Sequence, residues 1–104
     1  MYLTINRFRI KPGQEDTFEA IWTGRDSQLP KIKGFASFHL MRGESTAAHT
    51  IYLSHTMWHS REDFEAWTKS EAFRASHRGA GAHGDIYLGP PVLETYASVQ
   101  TITA

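Results

Sequence analysis

Cysteine is absent from this chain of 104 residues. Its absence excludes a disulfide scaffold, a thiolate nucleophile, a thiolate haem ligand and an iron–sulfur cluster. Net charge is absent too: 11 basic residues balance 11 acidic ones. A nucleic-acid-binding domain needs a visible cationic excess to neutralise phosphate, so no nucleic-acid partner is expected. No apolar run approaches the roughly 18–20 residues of a membrane span. The start, Met1 to Arg7, lacks a charged segment followed by an apolar stretch, so no secretory signal and no membrane are expected, and a cytoplasmic location is the default. Phosphate loop, dinucleotide fingerprint, zinc-protease motif and nucleophile elbow are all missing. Gly79 and Gly81 follow a helix pattern, whereas a phosphate-cradling loop precedes one.

What remains is one domain spanning 1–104, too short for two independent cores and without a repeat or a break in composition. It is rich in aromatics, 12% of residues with three tryptophans, which either fill the core or line a pocket or interface. Residues 2–10 alternate as a first strand, with Tyr2, Thr4, Asn6, Phe8 and Ile10 on one face. Lys11-Pro12-Gly13 breaks it. Phe18, Ile21 and Trp22 mark the buried stripe of a helix from about Gln14 to Asp26. Phe35 to Arg42 reads as a second strand, Gly43-Glu44-Ser45 as a hairpin turn, and His49 to Trp58 as a third strand. Ser60 caps a second helix over about 61–78, and 78–84 is a glycine-rich segment expected to move. Val92 to Ile102 reads as the last strand.

The order β-α-β-β-α-β predicts an α+β, ferredoxin-like fold: a four-stranded antiparallel sheet with both helices on one face. Its other face would then offer Leu3, Ile5 and Val99 to water, a patch that two-fold pairing of sheets would cover. A homodimer follows as an inference.

Two positions point to chemistry. On an unbroken second helix, Ala66, Ser70, Phe73 and His77 share a face, and Trp67 lies only about 80° from His77 around the axis. An imidazole near a helix end, an indole wall and small neighbours make a site for a flat ligand, or else a capping histidine and a core tryptophan. Asn6 sits mid-strand on a face that should be buried. Either its amide bonds a neighbouring side chain or it lines a cavity and donates to a ligand. The remaining histidines, His39, His49, His55 and His59, fall on strands or turns without a ligand spacing and read as structural, and His83 lies in the glycine-rich loop.

The segment from Thr56 to His77, with Trp58, Ser60, Phe64, Trp67, Ser70 and Phe73 between, resembles the IsdG-type haem-degrading monooxygenases of the antibiotic biosynthesis monooxygenase superfamily. The resemblance covers nearly the whole chain, most sharply 2–10 and 56–78. It implies a dimeric α+β barrel and a catalytic triad of Asn6, Trp67 and His77. His77 would be the proximal ligand of haem iron, Asn6 would hydrogen-bond the bound dioxygen, and Trp67 would press on the porphyrin and ruffle it. Haem would be both substrate and cofactor, opened to a bilin with release of iron. Electrons would come from an external donor, an unidentified reductase or a small reductant, since no flavin or nicotinamide motif is present. Arg25 lies where relatives carry an arginine near the pocket mouth and either pairs a propionate or is solvated. Phe64 and Phe73 either wall the pocket or belong to the core.

Two alternatives from the same residues are a cofactor-free monooxygenase acting on a quinone or polyphenol and a haem carrier without turnover. His77 speaks against the first. Asn6 speaks against the second, because sequestration needs no distal hydrogen-bond donor.

Overall fold

In the computed structural model, which describes residues 1–71, 73–74 and 84–104, the elements run β1 (Tyr2–Ile10), α1 (Glu15–Thr23), β2 (Phe35–Ser45), β3 (Thr50–Trp58), α2 (Arg61–Thr68) and β4 (Val92–Ala97). A 3₁₀ turn over Leu29–Lys31 joins α1 to β2. The strands form one sheet in the order β2-β3-β1-β4, every pair antiparallel. This is the expected ferredoxin-like arrangement.

Register explains how the helices attach. Tyr2, Thr4, Asn6, Phe8 and Ile10 stand opposite Trp58, Thr56, Ser54, Tyr52 and Thr50, and the even positions of both strands are the more buried ones. The α1 stripe settles on one end of that face. Phe18, fully buried, packs on Phe8 and Tyr52 with ring centroids 5.4 and 4.5 Å away. Ile10, Ile86 and the partly buried Ile21 and Trp22 complete this core. Burying each such side chain is worth about 1.5–3 kcal/mol. At the other end Phe64 of α2 packs on Tyr2 and Trp58.

Polar groups pin the ends. The Tyr52 hydroxyl donates to Glu19 of α1, and Thr50 donates to Glu15 at 2.9 Å. Burial, and then the Glu19 acceptor, push Tyr52 well above the ordinary phenol range. The Glu15 carboxyl lies below its usual value because it accepts from backbone N–H and from Thr50. Ser60 caps α2, its oxygen accepting from the Asp63 N–H at 3.1 Å. Gly34 adopts φ +83°, and a Cβ there would fall about on the Asp63 carboxylate, 2.1 Å from its carbon. Only glycine lets the loop close on the helix start.

Several expected boundaries move. The β2–β3 turn is Thr46–His49 instead of Gly43-Glu44-Ser45, because the Thr46 hydroxyl accepts from the Ala48 and His49 N–H groups. Gly43 stays in β2, beside a register shift between Arg42 and Ser45. The first helix stops at Thr23 rather than Asp26, and the last strand at Ala97 rather than Ile102. Val99 therefore lies beyond the sheet, fully exposed, and is not part of the open face. The second helix ends at Thr68, so the expected helix over 61–78 is not continuous.

Candidate functional site

The helix-bearing face carries two aromatic clusters with a strip between them. Along β1, Tyr2, Thr4, Asn6 and Phe8 project to this face at intervals of about 7 Å. Phe8 belongs to the α1 cluster, where Trp22 packs edge-on against it at 5.5 Å and stacks on Phe38 at 6.0 Å. Tyr2 belongs to the α2 cluster with Trp58, Phe64, Trp67 and Phe73. Asn6 and Thr4 lie in between. Their cross-strand partners are Ser54 and Thr56 on β3, then Leu93 and Thr95 on β4. The strip thus has a floor of small polar side chains at its centre, edged by Leu40 on β2 and Leu93 on β4, between two aromatic walls.

Asn6 is half-buried, and its amide makes no hydrogen bond among the described residues. Of the two readings open from sequence, an amide satisfied by a neighbour drops out. Thr4 differs: its oxygen accepts from the Trp58 indole N–H at 3.2 Å, a buried bond. Trp58, fully buried, is the bed on which Trp67 rests, their rings 5.3 Å apart. Phe73 meets Trp67 at right angles at 4.8 Å, and Phe64 lies 6.4 Å away. Trp67, Phe64 and Phe73 are therefore one half-buried cluster, held over the Tyr2 end of the strip.

The path from Trp67 toward His77 is not the single helix assumed from periodicity. Lys69 has left helical geometry, with φ −99° and ψ 2°. Ser70 donates from its hydroxyl to the Trp67 carbonyl at 2.6 Å and accepts from the Phe73 N–H at 3.1 Å. It ends one helical segment and caps the next, which is helical at Glu71, Phe73 and Arg74. The expected closeness of Trp67 and His77 rested on one unbroken helix through Ser70; His77 itself, like His83 and most of the glycine-rich segment, lies outside the described residues.

Arg25 follows α1, exposed, with its guanidinium 4.2 Å over the Trp22 ring. Tyr87 lies beside this pair. Burial raises its hydroxyl above the usual phenol range, opposed by the Arg25 charge. Sequence reading missed Thr4, Ser54 and Leu93 as strip residues, and Tyr87. Alternation along β1 and β3 marks the first two, while Leu93 and Tyr87 needed the register of the sheet.

A polar floor between aromatic walls, with one free amide, suits a flat ligand that needs a single directed hydrogen bond. The family model for antibiotic biosynthesis monooxygenase matches residues 1–79. The chain belongs to the antibiotic biosynthesis monooxygenase family. A haem-degrading monooxygenase of Shouchella clausii is 41% identical over 93 residues, covering 86% of this chain and 82% of the relative. The staphylobilin-producing haem oxygenase of Staphylococcus saprophyticus is 28% identical, over 76% of this chain and 75% of its own. Among solved structures, the haem degrader MhuD of Mycobacterium tuberculosis, with two haems bound in its active site, superposes with a TM-score of 0.77 at 25% identity, covering 99% of this chain and all of the other.

Proposed function

We propose that this family member is a haem-degrading monooxygenase of the IsdG type, which binds haem as substrate and cofactor, opens the porphyrin to a bilin and releases iron. The observation that carries the reading is the unpartnered Asn6 amide on the strip floor. The amide has no bond within the described residues and keeps access to solvent, so it is available to donate to a ligand laid on the strip. The aromatic walls fit a porphyrin, which is flat, apolar at its centre and anionic at one edge. The consistent function of the Shouchella and Staphylococcus relatives supports the same substrate.

Bound haem supplies the iron at which dioxygen is activated. His77 would supply an imidazole nitrogen to hold that iron, and Asn6 would donate from its amide to an acceptor bound beside it and so orient it. Trp67, backed by Trp58 and flanked by Phe64 and Phe73, presses on the macrocycle. Its rigidity comes from the bed beneath it. Arg25, stacked on Trp22 with its other face open, pairs a propionate. Electrons come from an external donor, a reductase or a small reductant, and the cytoplasm is the location we assign because that supply is available there.

A second copy of the chain is part of this reading. The open face of the sheet carries Leu3, Ile5, Leu53, Ile51 and Met57, with Met41, Val92 and Tyr96 each about half exposed. Such a surface favours a homodimer.

The test is a haem titration of the haem-free protein followed by ascorbate in air, watched by visible absorption. Wild type is expected to form a Soret complex that decays to a bilin spectrum. His77→Ala loses the Soret shift. Asn6→Ala keeps it and slows decay by roughly 10²-fold, the scale of losing one directed donor. A stable complex that never decays would leave only haem carriage, and no Soret shift in wild type would reject haem and point to quinones.

A further inference from the structure

Thr4 lies on the strip floor two residues before Asn6, and it is buried although it is polar. Thr56 on β3 and Thr95 on β4 flank it across the sheet. Among the described floor residues it alone is bonded to a wall: its oxygen accepts from the indole N–H of Trp58 at 3.2 Å. Trp58 is fully buried, so its N–H needs an acceptor. Stability alone does not require this pair. Replacing both partners of a buried bond by apolar groups of like shape, here phenylalanine and valine, is nearly neutral. What the polar pair adds is direction, because a hydrogen bond fixes how the indole is turned and flat packing fixes that less.

The turn of this ring reaches the wall above it. Trp58 ends β3, with Phe35 edge-on at 6.1 Å, Phe64 at 6.0 Å and Trp67 at 5.3 Å between ring centroids. The planes of Trp58 and Trp67 are tilted by 37°. The second helix buries none of its residues completely. Its aromatic seat on the sheet is Phe64 and Trp67 resting on Tyr2 and Trp58. A line of contacts therefore runs from floor to wall, from the Thr4 oxygen through the Trp58 indole to Trp67. Close-packed rings leave little slack, so a rotation of the first is felt by the second. All three residues lie on the helix-bearing side of the sheet, away from the face assigned to a second copy.

We propose that Thr4 is a positioning residue: its oxygen fixes the rotation of the Trp58 ring and, through that ring, the tilt at which Trp67 meets a flat ligand on the strip. For the identity of that ligand the inference rests on the haem reading. Thr4 acts through two rings, so its loss changes the shape imposed on the porphyrin more than the affinity for it. Directed support of this kind is what keeps a wall from pressing in several orientations.

The test compares wild type with Thr4→Val, which keeps the shape and removes the acceptor, and Thr4→Ser, which keeps the acceptor. Two stacked indoles couple in the far ultraviolet, so circular dichroism of the haem-free full chain reads the tilt directly, and Trp58→Phe identifies the couplet by abolishing it. Thr4→Val should change the couplet and Thr4→Ser restore it. With haem added, Thr4→Val should keep the Soret shift but lose intensity in the out-of-plane porphyrin modes of the resonance Raman spectrum. Decay in ascorbate should slow roughly tenfold, within the range that a small misplacement costs. Again Thr4→Ser should restore both. Should Thr4→Val fail to fold, the double variant Thr4→Val with Trp58→Phe leaves no polar group unmet, and the same loss of out-of-plane intensity is expected from it. An unchanged couplet in Thr4→Val would overturn the proposal, and so would a changed couplet with unchanged out-of-plane modes. Absence of a Soret shift in wild type rejects the haem reading instead, while the couplet still decides whether Thr4 sets the tilt.

Discussion

Single side chains in this protein are tuned by what they touch, and Tyr52 is the clearest case. Its ring is buried under Phe18, and its hydroxyl donates to Glu19. Burial disfavours the phenolate first, and the Glu19 carboxylate then holds the proton. The folded protein thus keeps Tyr52 neutral at a pH where the unfolded chain ionises it. That contribution to stability is fully present below the unfolded value, about pH 10. It is lost as pH rises from there through the higher folded value. Tyr52→Phe should therefore cost about 1.5–3 kcal/mol near neutral pH, since the lost bond is to a charged acceptor. It should also flatten the alkaline loss of stability, measured by urea unfolding at a series of pH values. The last tyrosine step in the near-ultraviolet titration should disappear with it. A variant as stable as wild type, with that step intact, would show that the hydroxyl does not donate to Glu19.

At the scale of elements, β1 and β3 were legible because strict alternation and a proline-glycine break at Pro12-Gly13 leave little freedom. The fold class followed from their order. Hairpin and helix ends were not legible, for local reasons. Gly43 looks like a turn residue, but the Thr46 hydroxyl draws the turn three residues on. Periodicity ran straight through Lys69 and Ser70 because a serine can sit within a helix or cap one, and sequence spacing does not tell the two apart. Here Ser70 caps. Asn6 was marked from the sequence by being polar where the strand face is buried; the cross-strand pairing of His39 with His55, 16 positions apart, was invisible until the register was known.

Ser70 deserves its own test because it links the segment holding Trp67 to the one that leads to His77. Ser70→Ala removes the acceptor for the Phe73 N–H and the donor to the Trp67 carbonyl. Loss of such a cap costs about 0.5–2 kcal/mol. If the cap sets the angle between the segments, haem affinity should fall several-fold while global stability falls by no more than that cost. Ser70→Asn or Ser70→Asp, which also cap, should restore both. Equal haem affinity in Ser70→Ala and wild type would mean that the segments keep their angle without the hydroxyl.

At the scale of the whole molecule, a single sheet has helices on only one side, so its other face must meet either water or a partner. The two cases make opposite demands on Ile5. It lies on β1, an inner strand, between His55 on β3 and Glu94 on β4. If the face meets water, Ile5→Lys places a charge where it is hydrated, and both stability and mass stay as they were. If a second copy covers the face, the same change buries a charge, and by two-fold symmetry it does so twice in each dimer. The penalty then weakens association by at least about 100-fold, an effect of some 3 kcal/mol or more. Sedimentation velocity over a dilution series separates the cases: we expect wild type as a dimer and Ile5→Lys as a folded monomer of unchanged far-ultraviolet dichroism. A variant that stays dimeric would place the interface elsewhere, and a monomeric wild type would leave the apolar face to another partner. The outcome also bears on the strip, because its walls belong to one chain. If those walls suffice, the folded Ile5→Lys monomer still binds haem with a Soret shift.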